Sequence, residues 1–236
     1  MEQDKFISAF GTRDRSVAFS SLLTKVYLWM TMGLAMTALS AAYVGTNPQL
    51  AQQLLSGFTF YILLFAELGL VFYMSSRIMQ MSFATAGIVF AIYAILNGVT
   101  LSAILFTFSS QAIMSAFAAT AGTFGAMSLV GYFIKRDLST MGRFLFMALI
   151  GMIIATVVNI FLASSALEWG ITYLGIFIFS GLTAYDTQKI KHMLMAHGNE
   201  VNEGTMKLAL LGSLTLYLDF INLFLYLLRF FGGNDE

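Results

Sequence analysis

Between Arg77 and Lys135 the chain runs fifty-seven residues without a charged side chain. That is far more than a buried helix of a soluble protein carries, so the stretch reads as lipid-embedded chain. A bilayer-crossing helix takes roughly twenty mostly apolar residues, which leaves room for two spans here, parted at the polar step Thr107-Phe108-Ser109-Ser110-Gln111. The same ruler predicts seven spans in all, at about 25–44, 57–76, 79–106, 112–134, 143–164, 168–189 and 206–230. Composition agrees: 58% of residues are hydrophobic and 10% charged, against roughly half and a quarter in a soluble domain. One proline and fifteen methionines suit long helices with adaptable apolar packing. The expected fold class is an all-α membrane protein of seven transmembrane helices.

Orientation follows from the basic residues, because Lys and Arg collect in short cytosolic loops. Lys5, Arg13, Arg15 and Lys25 precede span one, and Arg77 lies between spans two and three. Lys135, Arg136 and Arg143 lie between four and five; Lys189, Lys191 and Lys207 lie between six and seven. Eleven of the twelve basic residues thus share one side, with Arg229 the exception. The opposite loops, around Asn47, Ser110 and Ser165, hold a single charge, Glu168. The organisation expected is a cytosolic segment 1–24, a seven-helix domain 25–231 and a short outer tail 232–236. The polar start is too long for the front of a cleaved signal peptide, so span one is expected to be retained. Trp29 and Trp169 fall near span ends, where an indole suits the interface or simply packs.

Several function classes are disfavoured. Twelve basic and twelve acidic residues cancel, which leaves no global field to hold nucleic acid. Cysteine is absent, which removes thiolate chemistry and cysteine metal sites. No phosphate-binding glycine loop, zinc-binding His-Glu-x-x-His or Gly-x-Ser-x-Gly elbow occurs, and no enzyme activity or cofactor is expected. His192, His197, Glu200 and Glu203 fit no common zinc spacing and read as a solvated connector turning at Gly198-Asn199. Ala118, Ala119, Ala121, Gly122, Gly125 and Ala126 in span four are small enough for close helix packing and are expected to serve it.

What remains is three ionisable residues inside spans, where charge is costly enough that function is the default reading. Glu67 sits mid-span in Leu64-Phe65-Ala66-Glu67-Leu68-Gly69-Leu70 and should face the interior, either as a buried neutral carboxyl or lining a wet cavity. Asp186 lies one turn before Lys189, as a gate residue or a snorkelling carboxylate. Asp219 has no basic residue within a turn along its helix and needs a partner from another. Counted from Lys191 and Lys207, Asp186 is about 7 Å and Asp219 about 18 Å from the cytosolic boundary. The two reach a common height if span seven begins a turn or two outside. Arg77 is the nearby cation expected to face them, and an arginine set against two carboxyls that share a proton makes a pH-dependent latch.

Tyr185-Asp186-Thr187-Gln188-Lys189-Ile190, followed by Leu216-Tyr217-Leu218-Asp219-Phe220-Ile221-Asn222-Leu223-Phe224-Leu225-Tyr226-Leu227-Leu228-Arg229, strongly resembles the Bax inhibitor family, also called the transmembrane Bax-inhibitor-motif family. Asn97-Gly98-Val99-Thr100-Leu101-Ser102 is similar to that family too. The resemblance implies two three-helix layers around a central C-terminal helix, and a pH-sensitive calcium leak. It maps the family's aspartate pair onto Asp186 and Asp219, its helix-two acid on the ion pathway onto Glu67, and its basic latch residue onto Arg77. The implied partners are calcium ions, protons, the lipid bilayer and other membrane proteins, with a bacterial cytoplasmic membrane as the setting. A second reading is a non-transporting regulator that binds membrane proteins such as a quality-control protease. A remote one is an intramembrane aspartyl protease: Tyr185-Asp186 matches half of that signature, but Asp219 follows Tyr217-Leu218 and not a Gly-x-Gly.

Overall fold

A computed structural model describes residues 2–197 and 200–233, with side chains placed from Ser16 onward. Among these residues the regular structure is helical: α1 (Glu2–Gly45), α2 (Pro48–Leu55), α3 (Gly57–Arg77), α4 (Phe83–Leu101), α5 (Ile104–Thr107), α6 (Ser110–Phe133), α7 (Ser139–Leu162), α8 (Ser165–His197) and α9 (Glu203–Gly232), with a 3-10 turn at Ile78–Gln80. Seven segments are long and apolar enough to cross a membrane: Ser16–Gly45, Gly57–Gln80, Phe83–Thr107, Ser110–Phe133, Ser139–Leu162, Ser165–His197 and Glu203–Gly232. They correspond in number and order to the seven expected spans, so the chain is an all-α, multi-pass membrane protein.

The ends differ from the hydropathy reading where polar residues continue a helix. Helix α1 runs unbroken from Glu2 through span one. The Lys191–Lys207 connection shrinks, since α8 runs on to His197 and α9 starts at Glu203; the expected turn at Gly198-Asn199 lies outside the described residues. The connection between the first two spans contains α2, which begins with Pro48 in its first turn, a position that needs no N–H donor.

Local chemistry explains several breaks. Ser82 Oγ accepts from the Thr85 amide and Ser109 Oγ from the Ala112 amide, each at 3.1 Å, capping α4 and α6 at donors those helices cannot satisfy themselves. Asp137 Oδ1 accepts from the amide and hydroxyl of Ser139 at 2.9 and 2.7 Å, opening α7. That helix ends at Ala163, whose φ of 46° is left-handed, while Asn159 Oδ1 takes the Ser164 amide at 3.0 Å.

The chain forms two compact units, Met1–Thr107 with Ile190–Tyr217, and Phe108–Lys189 with Leu218–Glu236. In the first, α1 packs along α4. A methyl at Gly98 would collide with Ser40 Oγ and the Thr37 carbonyl, and Trp29 lies over Gly87 between Phe83 and Phe90. In the second, a methyl at Gly131 of α6 would meet the Ala184 carbonyl of α8, Tyr185 lies over Gly142 of α7, and Tyr226 of α9 over Gly175 of α8. Trp169 joins a ring cluster with Tyr173 and Phe230, so both tryptophans pack. The last helix is the most enclosed, with 67% of its apolar window buried against 11–39% in the other six.

One expectation is corrected. In α6 Ala118, Ala121, Gly122 and Ala126 are exposed, and nothing stands near a methyl at Gly122 or Gly125. The packed stripe is Ala112, Ala116, Thr120, Phe124 and Ser128, continuing to Gly131. Its four-residue spacing defines one helix face, and most of the small-residue run lies off it.

Candidate functional site: two buried acidic clusters

Glu67 is buried, at 8% exposure, and is fully engaged within the first unit. The Thr100 hydroxyl donates to its Oε1, and Asn97 Nδ2 donates to its Oε2 at 3.3 Å. Asn97 and Thr100 stand three residues apart on α4 and so share a face. Behind them, Tyr217 of α9 donates to Asn97 Oδ1 at 3.1 Å, and Thr37 of α1 lies 2.6 Å from the Tyr217 hydroxyl. Thus four spans contribute to one polar chain. Tyr93 and Phe90 enclose it, their ring centres 5.7 and 5.8 Å from that of Tyr217. A carboxyl in an apolar span is tolerable only with such partners.

The second cluster occupies the second unit. Asp186 is 4% and Asp219 5% exposed, which removes the snorkelling alternative for Asp186. Asp219 Oδ2 is buried without a hydrogen-bond partner. Asp219 lies in the field of Asp186, and both lie in that of Lys189. The Lys189 ammonium sits 5.9 Å from the centre of the Tyr185 ring.

The residues around Asp186 each meet a different neighbour. Ala184 abuts Gly131, and Tyr185 covers Gly142 and meets Phe146 edge-on. The Thr187 hydroxyl reaches Ser128 Oγ at 3.4 Å. Gln188 grips the α6–α7 connection: its Nε2 donates to the Arg136 carbonyl at 2.9 Å and its Oε1 accepts from the Leu138 amide at 2.8 Å. A buried glutamine satisfied at both ends by backbone is a clamp. The segment bearing Asp186 therefore cannot shift without loosening that connection.

Arg77 is exposed and donates to Gln80 Oε1 at 2.5 Å; it belongs to the first unit and Asp186 to the second. The turn between α3 and α4 is itself stapled to the start of α9. Lys207 donates to the carbonyls of Met79 and Met81 at 3.3 and 3.0 Å, and Glu203 accepts from the Phe83 amide at 3.0 Å. Opposite charges thus meet the two helix ends that suit them, the cation at carbonyls and the anion at a free amide. Of the connector residues, Glu203 has this role, His192 and Glu200 are exposed, and His197 Nδ1 is 3.1 Å from the Met193 carbonyl. Arg229, the exception to the basic-residue count, pairs with Glu168 at 3.6 Å.

Sequence reasoning picked out the acids and missed their holders. Thr37, Tyr217, Gln188 and Lys189 are ordinary residues by composition. The only signal was that Asn97, Thr100, Tyr217 and Gln188 fall inside the motif runs.

The chain is similar to relatives along nearly its whole length. The chain is 44% identical to the inner membrane protein YbhL of Escherichia coli K12 over 232 residues, 98% of this chain and 99% of that one. It is 44% identical over 217 residues to an uncharacterized protein of Deinococcus radiodurans, 91% of each chain. With protein RP147 of Rickettsia prowazekii the identity is 43% over 215 residues, 91% of this chain and 90% of that one. The family model described as inhibitor of apoptosis-promoting Bax1 matches residues 19–236. With seven spans in place, acids buried within them and the match running through both motif helices, the chain belongs to the Bax inhibitor family.

Proposed function

We propose that this protein is a pH-sensitive calcium leak channel of a bacterial inner membrane, gated by Asp186 and Asp219, with Glu67 on the ion path. The observation that supports this reading most is the pair itself, two carboxyls about 95% buried on adjoining spans with one oxygen unpartnered. Such a pair resists double ionisation and titrates as a unit, so proton supply changes its charge and its hold on neighbouring cations. Carboxylate oxygens are also the ligands a hard divalent cation accepts. Arg77 and Lys189 are the two cations on which the ionised pair would close. Calcium flux into proteoliposomes at several pH values tests the reading: flux should rise as pH falls. Flux absent at every pH would favour the regulator of other membrane proteins, which conducts nothing.

Glu67→Gln keeps the length of the side chain and one acceptor for Asn97 or Thr100 while removing the negative charge. It should lower calcium flux by about tenfold, the effect of losing one anionic oxygen ligand, in a protein that still folds. Full flux in the folded variant would return Glu67 to a structural role.

Topology has its own test, and the absence of native cysteine makes it clean. The distribution of Lys and Arg supports a cytosolic N-terminus and an outer C-terminus. Cysteines at Ser110 and Ser165 should react with an impermeant reagent from outside, and those at Ser139 and Glu200 only after permeabilisation. Labelling of Glu200→Cys in intact cells would overturn the orientation.

A further inference from the structure

The two ends of α3 are closed by different means. At the Arg77 end, Lys207 donates to the carbonyls of Met79 and Met81, and Glu203 accepts from the Phe83 amide. At the Gly57 end stands α2, eight residues set between the turn at Thr46-Asn47 and the step Ser56-Gly57. Among the described residues, the hydrogen bonds made by residues 46–56 stay within the stretch 42–56. The Asn47 amide donates to the Val44 carbonyl, Asn47 Nδ2 to that of Tyr43, and the Ser56 hydroxyl to that of Gln52. What holds α2 against the spans is therefore apolar contact, through buried Ala51 and half-buried Leu54 and Leu55.

The joint from α2 to α3 carries no packing. Gly57 has a φ of 59°, in the left-handed region that glycine adopts freely, and a methyl there would meet nothing within 4 Å. Between α2 and the end of the span Phe83–Thr107 lies a groove of about 390 Å³. It is lined by Ala51 and Leu55 from α2 and by Ala103 and Phe106 from the span, with exposed Gln52 and Thr107 beside them. Ala103 follows Thr100 by three residues, about 5 Å along the span, and Thr100 is the residue whose hydroxyl donates to Glu67. Swinging α2 away breaks no hydrogen bond to another span and uncovers chiefly Ala51, Leu54 and Leu55. Opening the Arg77 end must break the bonds made by Lys207 and Glu203, which are charge-assisted and cost more. The Gly57 end is thus the one that opens more readily.

We propose that α2 is a hinged lid and that the groove beside it is the entry by which water and cations reach Glu67. The proposal rests on the reading of Glu67 as part of the ion path, and it adds the route of entry and the element that controls it.

Thiol labelling in lipid vesicles tests the lid without measuring flux. Native cysteine is absent, so Glu67→Cys places a single thiol at the end of the route, and Ala103→Cys places one on the groove in a chain that keeps Glu67. Each is treated with a small cationic thiosulfonate supplied to both faces. Leu55→Asn removes apolar hold on α2 and should speed both reactions about tenfold, as the open lid becomes more populated. Gly57→Ala, whose methyl meets no atom but which resists the left-handed conformation, should speed them too, and it decides the matter if Leu55→Asn folds poorly. Lys207→Met loosens the opposite end and should speed them far less. Rates unmoved by both lid variants, equal acceleration by Lys207→Met, or a Glu67→Cys thiol that stays unreactive while Ala103→Cys reacts would overturn the proposal. Calcium flux separates it from the leak reading. Lid-dependent labelling without flux leaves the lid standing and ends the leak, whereas flux with labelling indifferent to α2 overturns the lid alone.

Discussion

Asp186→Asn should leak calcium at alkaline pH, where the wild-type protein should be tight, and should lose most of its pH response. The sign follows from the proposed gating. There the pair, ionised at high pH, would hold a cation at the cytosolic end; acid would neutralise the pair and release it. Asparagine imitates the neutral side chain at every pH, so the variant behaves as the acid form throughout. A hydrogen bond between charged groups contributes about 1.5–3 kcal/mol, so alkaline flux should rise by about tenfold to a hundredfold. Asp219→Asn should also blunt the response, since the shared proton loses its second site. Combining Asp186→Asn with Arg77→Ala, and separately with Lys189→Ala, identifies the cation. The partner's change adds little to Asp186→Asn, whereas an independent residue's effect adds in full. Retention of the full wild-type pH dependence by Asp186→Asn would sink the gating mechanism.

Gly98→Ala should be among the most damaging small substitutions in the chain. Its methyl would occupy space held by Ser40 Oγ and the Thr37 carbonyl of α1, and backbone on the facing helix cannot rotate out of the way. Overpacking of this kind costs about 2–3 kcal/mol, and Thr37 would be displaced from Tyr217 as well. Thermal unfolding in mild detergent should show a clear drop in midpoint. Gly125→Ala provides the comparison, because nothing lies within reach of its methyl and alanine favours helix by up to about 1 kcal/mol. Equal midpoints for the two variants would mean that α1 and α4 do not approach at Gly98 as described.

The seven spans were legible because charge is excluded from lipid, and its gaps mark them without any knowledge of packing. Helix α2 was not, since Pro48–Leu55 is short and polar enough to read as loop, and only its proline at the first turn hints at a helix start. The acids announced themselves for the same reason as the spans: Glu67, Asp186 and Asp219 are expensive where they stand. Their partners could not be read, because Thr37, Asn97 and Tyr217 are scattered along the chain and meet only in space. Lys189 stands three residues after Asp186 on α8 and was legible beside it, whereas the cations that other helices bring to the pair cannot be read from sequence. The small residues of α6 misled for a geometric reason. Size alone does not say which face of a helix turns inward, and the four-residue stripe ending at Gly131 does.

The length of α8 has a bearing on where the protein can work. Its 33 residues span about 50 Å at 1.5 Å each, against a hydrocarbon thickness of about 30 Å. The surplus must be taken up by tilt or by turns projecting into water. Asp186 lies only three residues from Lys189 and five from Lys191, so a small change in tilt alters how far the acid pair sits beneath the headgroups. A thin bilayer brings water closer to the carboxyls, and a thick one draws them deeper.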